Sequence, residues 1–163
     1  MTNNHSENMY NLFYVESPLQ LLSAISAVNK FNRHKAILIA NLSHGDRVSN
    51  DTQILQLIGN EWHKVYIQRS RKGKISRLIG LTLLKDIIKL GCYGFKYRNK
   101  INKYFIGEYR STDMAILSCF LLPQETVLLD DGSFTITAQN YHIRKKISPY
   151  LVDCKYKLFR TLL

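Results

Sequence analysis

Five short apolar runs punctuate the chain: Leu12–Val15, Ala36–Ala40, Val65–Ile67, Tyr104–Ile106 and Thr126–Leu129. They are rich in β-branched, aromatic and leucine side chains, and none alternates cleanly with polar residues. Continuous runs of this kind predict strands buried on both faces, as in a parallel sheet covered by helices. The segments between them carry helical spacing. Ser17 followed by Pro18 predicts an N-cap and a proline at the first helical position, and Leu21, Leu22, Ile25 and Val28 then recur along one face. A second helix is expected over Gln53–Ile58, ended by Gly59. A third is expected over Lys74–Leu90, with Ile75, Leu78, Ile79, Thr82, Leu83 and Ile87 on one side, and a fourth over Asp113–Leu122, stopped by Pro123. The stretch Gly91–Lys103 reads as an irregular insertion, because it holds two glycines and interleaves Tyr93, Phe95 and Tyr97 with bases. The alternation of strands and helices predicts an α/β fold, a Rossmann-like parallel sheet of about five strands flanked by helices. Its expected extent is residues 11–140, with a disordered N-terminus over 1–10 and a basic helical tail over 141–163.

Composition agrees with one packed core. The chain has 163 residues, 45% of them apolar. A domain of that size buries roughly 70% of its unfolded surface, which argues against global disorder and against two domains. Cys92, Cys119 and Cys154 form no CxxC pair, so a structural zinc site is not expected and a reducing, cytoplasmic setting is. Met1–Asn8 is polar and lacks the apolar core of a secretory signal. The most apolar stretch, Leu78–Leu90, is broken by Lys85, Asp86 and Lys89, short of the ~20 residues a membrane span needs.

Charge adds a partner to the picture. The net charge is +11, and between Arg69 and Lys103 eleven bases stand against one acid, Asp86. The stretch Arg144–Arg160 adds six bases against Asp153. Such an excess predicts an anionic partner, whether nucleic acid, phospholipid head groups or an acidic sugar, unless it is simply a solvated face.

In an open parallel sheet, ligands bind beyond the carboxyl ends of the strands. That rule gathers Glu16 and Ser17, then Asn41, Ser43, His44, Gly45 and Asp46, then Arg69, Arg71 and Lys72, then Glu108, then Asp130, Asp131, Gly132 and Ser133. Adjacent Asp130 and Asp131 repel, which favours a raised pKa for one of them and suits a general base acting on a hydroxyl. Gly132 permits a tight turn and close approach of a substrate, although Asp-Gly is also a common plain turn. Ser17 at a helix start places backbone N–H groups where an anion can bind, or is a plain cap. His44 lies in a polar loop with Gly45 and Asp46 and is a further catalytic or substrate-binding candidate, or an incidental surface histidine. Trp62, His63 (at the start of a strand) and most of the tyrosines read as structural. No GxGxxG, P-loop, HExxH or GxSxG pattern occurs.

Residues Leu12 to Ile25, running through Glu16-Ser17-Pro18-Leu19-Gln20, resemble the opening of bacterial sialyltransferases of glycosyltransferase family 52 and of the related α-2,8-polysialyltransferases. Val127-Leu128-Leu129-Asp130-Asp131-Gly132 is similar to their [DE]-[DE]-G motif. The resemblance implies a GT-B enzyme of two facing Rossmann-like halves, the first holding the acceptor and the second CMP-sialic acid. It implies inverting transfer without a metal or cofactor, Asp130 as base with Asp131 beside it, and Glu16, Ser17, Pro18 and Gln20 on the cleft floor; Gly132, Ser133 and His44 join them as substrate-binding candidates from their places at the strand ends. A later His-Pro motif aids departure of the CMP phosphate in that family; no His-Pro pair occurs here. The chain therefore reads as an acceptor-side half, truncated or split from its donor half and inactive alone.

On this reading the partner is an anionic glycan or glycolipid acceptor, with peripheral contact at the inner membrane, and the chain awaits a C-terminal half or a second copy. Two other readings stay open. One is a non-catalytic basic module binding nucleic acid or anionic membrane, with Arg69–Lys74, Lys96–Lys103 and nearby aromatics as its surface; no nucleic-acid motif supports it. The other is an α/β enzyme whose acidic pair holds Mg²⁺, although such a site needs more oxygen ligands.

Overall fold

The computed structural model describes residues 9–31, 33–43, 47–70, 81–108 and 111–129, with 140 and 144. Among them the order is β1 (Tyr10–Val15), α1 (Pro18–Lys30), β2 (Lys35–Ser43), α2 (Val48–Leu57), β3 (Lys64–Ser70), α3 (Leu81–Tyr97), β4 (Ile101–Ile106), α4 (Thr112–Leu121) and β5 (Glu125–Leu128). The strands form one sheet in the order β3-β2-β1-β4-β5, and every pairing is parallel. This is the α/β, Rossmann-like arrangement the apolar runs predict. The N-terminal segment and the basic tail lie almost wholly outside the described residues, and β1 takes in Tyr10.

Side-chain alternation along β1 divides the core in two. Leu12 and Tyr14 join Ile37, Ile39, Tyr104 and Ile106 under α3 and α4. Phe13 and Val15 join Leu38, Ala40 and Phe105 under α1 and α2. Phe13 stacks on Phe105 at 4.2 Å between centroids, and Trp62, only 8% exposed, meets Phe13 edge-on at 5.3 Å. Burial on both faces is why these strands read as unbroken apolar runs.

Several boundaries move for local reasons. β2 runs on to Ser43 because Asn41, Leu42 and Ser43 keep pairing with β3. The His63 N–H donates to the Ala36 carbonyl at 2.8 Å, so His63 leads into β3, which starts at Lys64. α2 starts at Val48, well before Gln53, because its first turns are polar and only Ile54 is fully packed. α4 ends at Leu121: the residue before Pro123 cannot stay helical, and Leu122 turns left-handed (φ 49°).

The largest correction concerns Gly91–Lys103. It is no irregular insertion. α3 continues through Tyr97, and β4 begins at Ile101. The glycines serve helix packing: a Cβ on Gly91 would touch the Phe120 ring, and one on Gly94 would overlap Phe120 itself. Close packing of α3 on α4 offsets the cost, about 1 kcal/mol, of glycine in a helix interior. The expected start of that helix, Lys74, lies outside the described residues. No described helix is long and apolar enough to cross a membrane.

Candidate functional site

β1 and β4 are neighbours in the sheet, and the chain leaves β1 toward β2 but leaves β4 toward β5, so the two connections diverge. The crevice at the carboxyl ends of β1 and β4 is therefore the switch point where doubly wound sheets take their ligands. Glu16 and Ser17 follow β1 directly, and Gly107 and Glu108 follow β4.

Local chemistry fixes the first of these. Ser17 is extended (φ −144°, ψ 158°), and its Oγ accepts the Gln20 N–H at 3.2 Å, capping α1. Pro18 needs no hydrogen-bond partner at the first helical position. Gln20, 3% exposed, then turns its Oε1 back to accept the Glu16 N–H at 2.7 Å. The Gly107 N–H donates to the Tyr14 carbonyl at 3.2 Å, carrying the β1–β4 pairing one step further. A Cβ on Gly107 would overlap the Gln20 carboxamide, so close approach explains this glycine.

The Glu16 carboxylate is oriented by two other elements. Its Oε1 accepts from Asn41 Nδ2 at 2.9 Å and from Ser111 Oγ at 3.3 Å. Its Oε2 has no partner among the described residues. Ser111 is the N-cap residue of α4, yet its hydroxyl makes no capping hydrogen bond and goes to Glu16 instead. α1 and α4 both start at this edge, and the positive ends of their dipoles favour a carboxylate there.

A polar row results. Asn41, 5% exposed, pairs in register with Gln68, 7% exposed. Gln68 Nε2 is buried and has no partner among the described residues. Alternation places Gln68, Asn41 and Glu16 above Tyr66, Ile39 and Tyr14, on the α3–α4 side of the sheet. Alongside it, Asp51 of α2 accepts the Ser43 N–H at 2.8 Å and the Ser43 Oγ at 3.3 Å. The Ser43 Oγ in turn accepts the Arg47 N–H at 2.9 Å. A carboxylate oxygen, two amides and a hydroxyl in one row can accept from and donate to the hydroxyl groups of a sugar. Among the described residues no group of three or more His, Cys, Asp or Glu gathers as a metal site would require.

Of the residues expected at the site, Glu16, Ser17 and Gln20 come together at the switch point. Asp130, Asp131, Gly132, Ser133 and His44 lie outside the described residues. Asn41 and Glu108 were visible only as strand-end polar residues. Gln68, Gly107 and Ser111 belong to no motif. A serine just before Thr112-Asp113 signals a helix cap, which is not how Ser111 is used. No family model, curated protein or solved structure matches the chain.

Proposed function

We propose that the chain is the acceptor-side half of a sialyltransferase-like glycosyltransferase, a GT-B enzyme transferring sialic acid with inversion from CMP-sialic acid to a cell-surface glycan such as lipooligosaccharide or capsule. One observation carries this reading: the Glu-Ser-Pro-Leu-Gln segment lies at the switch point, where Asn41 and Ser111 hold one oxygen of Glu16 and leave the other for a ligand. In this scheme Glu16 Oε2 accepts a hydrogen bond from an acceptor hydroxyl and orients the sugar. The carboxylate of Asp130 takes the proton from the attacking hydroxyl. That oxygen bonds to the anomeric carbon of sialic acid as the bond to the CMP phosphate breaks. The donor, and the group that aids CMP departure, belong to a second Rossmann-like half.

The test is calorimetric titration of the chain with oligosaccharide released from lipooligosaccharide and with oligosialic acid. Saturable binding is expected for one of them, weakened at least about tenfold by Glu16→Gln, since a hydrogen bond to a charged group contributes about 1.5–3 kcal/mol. A circular dichroism spectrum unchanged by the substitution accompanies that result. Equal binding by Glu16→Gln, or no glycan binding together with RNA binding that falls steeply with salt, overturns the reading in favour of a basic binding module.

A further inference from the structure

We propose that the outer face of α3 docks the protein on an anionic lipid bilayer. The proposal rests on exposed residues far along the chain from Glu16, and it stands or falls separately from the sugar-transfer reading. α3 packs inward through Leu90 and Tyr97, and Gly91 and Gly94 meet α4. At 100° per residue, Ile88, Cys92 and Phe95 fall together on the opposite side. A surface helix ordinarily turns polar residues outward. Here Ile88 is 57% and Phe95 61% exposed, and Cys92 is an exposed free thiol. Phe95 touches Phe120 at 5.3 Å, and Leu122, 43% exposed, extends the apolar patch past the end of α4.

Charge identifies the occupant. Lys89, Arg98 and Lys100 are exposed beside this patch, and the Arg98 guanidinium lies 5.7 Å from the Phe95 ring centre. From Ile87 to Lys100 there are four bases and no acid. An apolar centre with a cationic rim fits a bilayer carrying anionic head groups: the apolar side chains enter the boundary of the acyl region, and the bases stay with the phosphates. A second copy presenting the same face would set lysine against lysine. A polynucleotide would meet the charge and leave Ile88, Cys92 and Leu122 in water.

Vesicle sedimentation of the full chain tests this, with phosphatidylcholine vesicles containing one quarter phosphatidylglycerol compared with pure phosphatidylcholine. Binding to the anionic vesicles is expected, at least about tenfold stronger than to neutral ones and weakening with salt, because each base near an anionic surface adds attraction. Phe95→Glu and Ile88→Glu change exposed positions and should each lower binding about tenfold. Leu55→Glu, at an exposed position on α2 in the opposite layer, should leave it unchanged. Loss of vesicle binding in Phe95→Glu with oligosaccharide binding retained separates this surface from the carboxyl-edge site. Three results overturn the proposal: unchanged vesicle binding by both glutamate variants, no preference for anionic vesicles, or a dimer in gel filtration that Phe95→Glu dissolves.

Discussion

The two ends of the sheet close in different ways. Toward the amino-terminal end, aromatic rings fill the space. Tyr10 stacks on His63 at 5.9 Å and meets Tyr97 edge-on at 5.7 Å. Tyr66 lies 4.7 Å from Tyr93. The Tyr66 and Tyr97 hydroxyls share a hydrogen bond of 2.8 Å, and Lys96 Nζ donates to the Tyr66 hydroxyl at 3.3 Å. The carboxyl-terminal end carries a polar row instead, and two of its groups, Glu16 Oε2 and Gln68 Nε2, have no partner among the described residues. A buried donor without a partner costs about 1–3 kcal/mol. The aromatic end thus adds stability, while the polar end keeps hydrogen-bonding capacity for something outside the fold. Sites that break a local rule are where function is expected.

Three substitutions sharpen or break this comparison. The largest effect is expected from Gly107→Ala. Its Cβ would displace the Gln20 carboxamide and strip the Glu16 N–H of its acceptor, for a loss of about 3 kcal/mol in urea unfolding. Unchanged stability would mean that Gln20 is not what holds Glu16 in place. Gln68→Met should have the opposite sign. It removes the unpartnered amide, so the protein should gain about 1 kcal/mol while binding of the oligosaccharide weakens. A stability loss would show that the amide is satisfied and the row structural.

Tyr66→Phe has the smallest expected effect, about 1 kcal/mol at neutral pH from the lost hydroxyl pair. Burial raises the Tyr66 phenol, but hydrogen bonds with Tyr97, Lys96 and Lys64 outweigh burial and hold it below the ordinary value of 10.0. Burial, with its proton donated to Tyr66, pushes Tyr97 well above that value. Ionised Tyr66 therefore favours the folded state. Its contribution is fully present above pH 10.0 and is lost as pH falls through the lowered folded-state value. Tyr97 acts in reverse, its contribution being present below pH 10.0 and lost as pH rises through its raised value. In an ultraviolet titration of tyrosine absorbance, the earliest step should vanish in Tyr66→Phe. If it persists, the hydroxyl pair does not set the order of ionisation.

Periodicity exposed β1, β2 and β4 well because each is buried on both faces; the edge strands β3 and β5, expected to be buried likewise, are partly exposed because each has only one neighbour. It misread Gly91 and Gly94, since two glycines look like a loop until a second helix packs against them. Glu16, Ser17 and Gln20 could be read as a capped helix start, which is a local signal. Ser111 could not, because its hydroxyl leaves its own helix for a carboxylate 95 residues away.

By itself the sequence determined the alternation of buried strands and helices, the cap at Ser17 and the cationic stretch beyond Arg69, all of which depend on neighbours within a few turns. Only the tertiary structure decided that β4 lies against β1. Strand order depends on which edges pair across long loops, and no local period records it. That single pairing creates the switch point and brings Gly107 against Gln20 and Ser111 to Glu16.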